Sequence, residues 1–166
     1  VEKFGFSAAN IALLFLVNHV INSWAAPRIG RLIGRFGERP MLTLEYAGLM
    51  LIFTAYAFVE SASVAVFLYI ADHVLFAMAI AIKSYFQKIG DPADMASTAA
   101  VALTINHIAA VVIPVVFGLI WLWSPAVVFL CGTAMAGISL ALSRLVPTTP
   151  QEGNEVRRRS RQVAAN

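Results

Sequence analysis

The sequence predicts an all-α integral membrane protein, built as a bundle of five transmembrane helices. Of the 166 residues, 60% are hydrophobic and only 13% are charged, and the mean hydropathy is +0.78. A soluble domain contains about 25% charged residues and about 45–50% apolar ones. In addition, five segments are long and apolar enough to cross a bilayer, which takes about 20 residues. We therefore expect the lipid bilayer to be the main partner of the chain.

The distribution of charge and the cysteine count exclude two classes of function. The net charge is +3 and the pI is about 9.4, but the arginines lie in one internal segment and in the C-terminal tail. They do not form one basic face, so we expect no nucleic-acid partner. The single cysteine, Cys131, lies in an apolar run and excludes a disulfide or a Cys-x-x-Cys metal site. No secretory leader is recognised at the N-terminus.

The five predicted spans are separated by residues typical of helix ends. Pro40, Pro125 and Pro147 lie at predicted ends, where the missing N–H of proline is tolerated. Pro114 lies inside the fourth span, where it predicts a bend. Small residues four apart on the last span, Gly132 and Ala136, predict close helix packing there. The predicted spans cover about residues 7–26, 41–59, 64–82, 98–121 and 127–146.

The lysines and arginines alternate between the connections, which predicts the orientation. Of the twelve, all but Lys3 lie in the connections 27–40 and 83–97 or from Arg144 onward, and none lies around Glu60 or around Ser124–Pro125. The positive-inside rule then places the N-terminus of this chain outside and the C-terminus in the cytoplasm, across the cytoplasmic (inner) membrane. Residues 1–147 form the predicted bundle, and residues 148–166 a basic, disordered cytoplasmic tail.

Polar side chains inside the spans mark the helices that face a polar interior. A centrally placed aspartate costs about 2.5–3.5 kcal/mol on insertion scales, so Asp72 should face a cavity or a partner. The first, third and fourth helices carry such residues, whereas the second and fifth are predicted to face lipid. The predicted pathway residues are Asn18, His19, Asn22, Asp72, His73, Asn106 and His107.

Other roles for these polar residues remain open at this stage. The asparagines could join helices through hydrogen bonds, each contributing about 0.6 kcal/mol, and Asp72 with His73 could be a buried structural pair. Three histidines on three polar helices also allow a metal site. No helix carries a His-x-x-His or Glu-x-x-His pair, so no metal site is predicted.

The segment PRIGRLIGRFGER, residues 27–39, resembles the signature loop of the major facilitator superfamily, Gly-x-x-x-Asp-Arg-x-Gly-Arg-Arg. Two positions depart from the pattern, because Gly34 replaces the aspartate and Glu38 replaces a basic residue. In that family the loop joins two helices on the cytoplasmic side and recurs in weaker form in the second half. The matching residues are Gly30, Arg35, Gly37 and Arg39, and with Arg31 they form the predicted cytoplasmic gate loop.

The resemblance implies a partial major-facilitator fold, in which the five spans correspond to helices eight to twelve. Helices two to six of the first half are the alternative placement. In this family helices eight, ten and eleven line the substrate cavity, and they correspond to the three polar helices of this chain. The preceding, N-terminal helices of the same transporter would then be a partner of this chain.

The resemblance further implies secondary active transport of a small solute, by symport or antiport, through alternating access. Asp72 or His73 is the candidate proton carrier, and neither enzymatic activity nor a cofactor is expected. Two alternatives belong to other classes. In an intramembrane enzyme, His19, His73 and His107 would hold a metal and Asp72 would serve as a base. In a non-transporting scaffold, the polar residues would be fully satisfied within the bundle.

Overall fold

A computed structural model describes residues 5–157, and these residues form helices with no β-strand. Five helices are long and apolar enough to cross a membrane. The prediction of an all-α membrane bundle is therefore confirmed, and the chain is an integral membrane protein. In order, the elements are α1 (Ala8–Phe36), α2 (Glu38–Phe58), α3 (Ala62–Phe76), a 3-10 turn (Ala77–Ala79), α4 (Ile80–Ile89), α5 (Met95–Trp123) and α6 (Pro125–Ser143).

The arginine segment is helical, which corrects the prediction of a gate loop over residues 27–40. Helix α1 continues to Phe36, ten residues beyond its predicted end at Ala26. A run of apolar residues marks only the part of a helix that lies in hydrocarbon. A helix that continues into water has polar side chains there, so its end is not marked by the apolar run. The arginines of this part of α1 are exposed to solvent.

Gly37 alone separates α1 from α2. Its φ of +86° is a backbone conformation that side chains disfavour, and its N–H donates to the carbonyl oxygen of Ile33 at 2.8 Å. Glycine is therefore required at this position. We call the end of the bundle formed by residues 28–39, 83–94 and 143–157 the arginine end.

The third predicted span consists of α3, the 3-10 turn and α4, which follow one another without a loop. The N–H of Ala77 donates to the carbonyl oxygens of His73 and Leu75. Met78, inside the turn, is buried in the core cluster of the arginine end, together with Ile29, Leu42 and Val146. The change in helix type thus comes about one turn after His73.

Helix α2 lies at the centre of the bundle, which corrects the prediction that it faces lipid. It packs against α1, α3, α4 and α6. Its buried residues recur every three or four positions and form one stripe, as expected for a helix with a protein-facing side. The prediction was wrong because a helix that is apolar on all sides can be surrounded by lipid or by other helices, and its sequence does not distinguish the two. The stripe contains Glu38, Met41, Leu42, Glu45, Leu49 and Ile52.

Helix α6 packs closely on α2 through small residues. A side chain at Gly132 would meet the ring of Phe53, with its Cβ 3.1 Å from Phe53 Cδ2. The hydroxyls of Thr54 and Thr133 lie 3.2 Å apart across the same interface. Ala136 is buried. The predicted close packing of the last helix is thus directed at α2 rather than at lipid.

Helix α5 lies at the edge of the bundle, and its described residues include no buried side chain. Its main contact is with α6.

Residues 148–157 form turns that contact the bundle, which differs from the predicted disordered tail. The backbone N–H of Arg157 donates to the carbonyl oxygen of Leu145 at 2.7 Å, and the hydroxyl of Tyr85 donates to the carbonyl oxygen of Glu155. The rest of the predicted tail, residues 158–166, lies outside the described residues, as do residues 1–4.

Candidate functional site: a polar cluster on α1, α2 and α3

Asp72 and His73 form the centre of the polar cluster. His73 Nδ1 lies 3.4 Å from Asp72 Oδ2 and 2.9 Å from the carbonyl oxygen of Tyr69. A carbonyl oxygen can only accept, so the hydrogen bond to Tyr69 places a proton on His73 Nδ1. In the neutral ring, Nε2 then keeps its lone pair and can take up a proton. Both side chains are partly exposed, Asp72 to 23% and His73 to 37%.

Two tyrosines lie beside this pair, and neither was predicted from the sequence. The Tyr69 ring packs on the His73 ring with 4.3 Å between centroids. Tyr56, on α2, lies close enough to Asp72 and Tyr69 to interact with both electrostatically. Tyr69 could have been found from its spacing, because it precedes His73 by four residues and so shares its helix face. The position of Tyr56 depends on how α2 packs against α3.

Helix α1 contributes Asn18 and Asn22 to the cluster. Asn18 is buried, and the side-chain amide of Asn22 donates to the Asn18 side-chain oxygen at 2.8 Å and to its carbonyl oxygen at 3.0 Å. One turn away, the Phe15 ring meets the Tyr69 ring edge-to-face, with centroids 6.2 Å apart. Because residues three or four apart share a helix face, the asparagines lie on the side of α1 that faces α3.

Three of the predicted pathway residues lie apart from this cluster. His19 is exposed, since it follows the buried Asn18 and points to another side of α1. Asn106 and His107 are exposed on α5, whose main contact is α6, and His107 Nδ1 bonds to the carbonyl oxygen of Leu103 at 2.8 Å. The sequence identified these residues as polar but could not show that α5 lies at the edge.

The three histidines of the metal-enzyme alternative do not form a cluster in the described part of the chain. Within residues 5–157, no group of three or more His, Cys, Asp or Glu side chains is placed to hold a metal ion. His19, His73 and His107, which that alternative required, belong to this part of the chain.

At the arginine end, the predicted gate residues occupy helix ends. Gly30, Arg31 and Arg35 lie in the last turns of α1, Gly37 is the junction, and Arg39 lies in the first turn of α2. The resemblance to the signature loop implies a role for the arginines, whereas the buried charged residue at this end is Glu38. Its carboxylate accepts from Lys88 Nζ at 2.6 Å and from Ser84 Oγ at 2.7 Å.

A second buried carboxyl, that of Glu45, was also missed as a site. Glu45 is 2% exposed, and its Oε2 has no hydrogen-bond partner among the described residues. It lies seven residues after Glu38 and therefore on the same face of α2. This spacing of two helical turns from Glu38 was a usable signal once Glu38 was known to be buried.

Comparison with known proteins provides no information on the function of this chain. The chain matches no protein-family model, no curated protein and no solved structure. The polar cluster on α1, α2 and α3 and the ion pair at the arginine end are therefore the observations on which a function has to be based.

Proposed function

We propose that the protein is part of a secondary active transporter of the major-facilitator type, which moves a small solute across the cytoplasmic membrane by alternating access. The observation that carries this proposal is the Asp72–His73 pair, held at 3.4 Å within a membrane-spanning helix, with the Tyr69 ring against His73 and Tyr56 of α2 close enough to Asp72 to interact electrostatically. An ionisable pair at membrane depth is costly and marks a substrate or proton pathway.

The depth of the pair supports this role. Asp72 lies ten residues after Ala62, where the span begins, which is about 15 Å along a helix that rises 1.5 Å per residue. The hydrocarbon core is about 30 Å thick, so the pair lies near its middle. Secondary transporters place the substrate and coupling-ion site at this depth, where each side can reach it in turn.

The chemistry of the pair suits proton coupling. Each partner can hold a proton separately: the Asp72 carboxylate on an oxygen, and His73 on Nε2, whose lone pair is available when Nδ1–H donates to the carbonyl oxygen of Tyr69. In our proposal, a proton held by Asp72 or His73 is released when the site changes its exposure. Asn18, Asn22 and the tyrosines supply neutral donors and acceptors for a polar solute.

The exposed polar residues of α5 support a larger bundle. Asn106 and His107 project from a helix that has no buried residue among those described. Polar groups in hydrocarbon need partners, and further helices of the same transporter, N-terminal to this chain, would supply them. The resulting arrangement has the N-terminus of this chain outside and the arginine end in the cytoplasm.

A proton-flux assay tests the proposal. The full-length protein is reconstituted in liposomes that contain a pH-sensitive dye, and a panel of small solutes is added outside. We expect at least one solute to change the internal pH, and Asp72→Asn to abolish this change. Glu60→Gln removes a carboxylate in the exposed α2–α3 connection and is the matched control, which should leave the flux unchanged. If Asp72→Asn retains solute-dependent proton flux, Asp72 is not the carrier; if no solute moves, the transporter proposal is contradicted.

A further inference from the structure

A cavity of about 550 Å³ lies at the arginine end of the bundle. It is formed between the first turn of α2 and the turns that follow α6, and it is separate from the Asp72–His73 cluster. Binding sites for small ligands are typically clefts of about 300–1,000 Å³, so the cavity has an appropriate size. The lining includes Arg39, Thr148, Gly153, Asn154, Glu155 and Arg157.

Hydrogen bonds hold the wall of this cavity on the bundle. The N–H of Arg157 donates to the carbonyl oxygen of Leu145 at 2.7 Å, and Tyr85 of α4 donates to the carbonyl oxygen of Glu155. Within the wall, the side-chain amide of Asn154 donates to the carbonyl oxygen of Thr149 at 2.7 Å. The turns that form this wall are thus held by contacts that do not involve the arginine side chains.

The lining is positively charged and carries donors. Arg39 and Arg157 contribute two guanidinium groups, and Glu155 contributes one carboxylate whose Oε1 accepts from the N–H of Gly153 at 2.6 Å. Within residues 5–157 neither guanidinium forms an ion pair. Guanidinium groups bind phosphate oxygens through paired N–H donors, and a carboxylate engaged by a backbone N–H competes less for them.

We propose that this cavity binds a phosphate group, with Arg39 and Arg157 as the two ligating side chains. Arg39 lies in the first turn of α2, next to the end of a membrane span, at the depth of phospholipid headgroups. Anionic headgroups there are attracted to basic residues by about 1 kcal/mol per side chain. The phosphate could belong to an anionic lipid or to a soluble compound, and in both cases the two guanidinium groups would bind the same phosphate oxygens.

Lipid titration of the purified full-length protein, followed by native mass spectrometry, tests the site. Phosphatidylglycerol is the probe, and Arg39→Gln/Arg157→Gln is the test variant. Loss of charged hydrogen bonds predicts at least about tenfold weaker binding. The matched control, Arg31→Gln/Arg35→Gln, removes the same charge from exposed positions on α1 and should weaken binding by far less. Inorganic phosphate added in excess distinguishes the sources: displacement of the lipid indicates a soluble phosphate ligand, and retention of the lipid indicates a headgroup site.

A conservative variant makes the result independent of folding defects. Arg39→Lys/Arg157→Lys keeps the charge but loses the paired donors, so it should bind several-fold more weakly than the unmodified protein. Circular dichroism verifies that each variant keeps its helix content. Equal weakening in the test and control variants, or no binding of either phosphate probe, would overturn the proposal.

Discussion

Lys88 Nζ lies 2.6 Å from Glu38 Oε1, and this ion pair joins the first residue of α2 to the last turn of α4. The two ends differ in exposure, because the Glu38 side chain is fully buried whereas that of Lys88 is 47% exposed. Ser84 donates a second hydrogen bond to the same carboxylate oxygen. The pair therefore fixes the arginine end of the third span onto the α1–α2 junction.

Replacing Lys88 with Met should destabilise the folded protein. The change leaves the buried Glu38 carboxylate without its cation, and loss of one partner of a buried pair costs about 3–5 kcal/mol. Because water reaches Lys88, we expect a smaller loss of about 2–3 kcal/mol. Reversible unfolding in mixed detergent micelles measures the change.

Lys83→Met is the control for this variant, since Lys83 lies on α4 and is exposed. The additional change Glu38→Gln should recover part of the lost stability by removing the uncompensated charge. Equal stability of Lys88→Met and the unmodified protein would show that the ion pair contributes nothing.

Gly37→Ala should destabilise the α1–α2 junction. Gly37 has a φ of +86° and a ψ of 169°, a region that is nearly restricted to glycine and costs other residues about 1–3 kcal/mol. Thermal denaturation in detergent measures the effect. Gly34→Ala, three residues earlier inside α1, meets nothing within 4 Å and should stabilise by about 0.5–1 kcal/mol through helix propensity. The interpretation of the junction fails if both variants change stability in the same direction.

Gly48→Ala should weaken the contact between α2 and α3. A Cβ at Gly48 would overlap the Leu75 side chain, which packs on the core cluster of the arginine end. Overpacking of this kind costs about 1–3 kcal/mol. In contrast, Gly118→Ala on α5 meets no atom within 4 Å and should be neutral or slightly stabilising. The same unfolding measurement compares the two, and an unaffected Gly48→Ala variant would mean that Leu75 repacks without cost.

Single cysteines should show that Glu60 and Gln151 lie on opposite sides of the membrane. Both positions are exposed, and three spans separate them along the chain. In a Cys131→Ala background, a membrane-impermeant maleimide should label Glu60→Cys in intact cells and Gln151→Cys only after permeabilisation. Labelling of both from the same side would contradict the three intervening spans. Labelling in the reverse order would contradict the predicted orientation alone.

The sequence was sufficient to predict the helices but not which helices pack against one another. Apolar run length identified all five spans, because the bilayer sets that length. It placed the end of α1 near Ala26 rather than at Phe36, because helical residues outside hydrocarbon carry no apolar signal. It also could not show that α2 is central, since lipid and protein interiors select the same side chains.

The sequence could predict only those contacts of the candidate site that form between residues of the same helix. The contact of Asn18 with Asn22 follows from their four-residue spacing on α1, whereas Asp72 and His73 meet because they are neighbours in the chain. Tyr56 reaches the cluster from another helix, and periodicity contains no information about that approach. The prediction that His107 lines the same pathway as Asp72 has the same weakness, because the sequence does not show that α5 contacts mainly α6.

The single-residue junction at Gly37 has a consequence for how this protein tolerates insertions and deletions. With no loop to absorb a change in length, one residue added within α1 after Asn22 would rotate Asn18 and Asn22 by about 100° around the helix axis. The asparagines would then turn away from α3, while α2 kept its place. Natural variation in length should consequently avoid the α1–α2 junction and occur in exposed connections, such as residues 91–94 between α4 and α5.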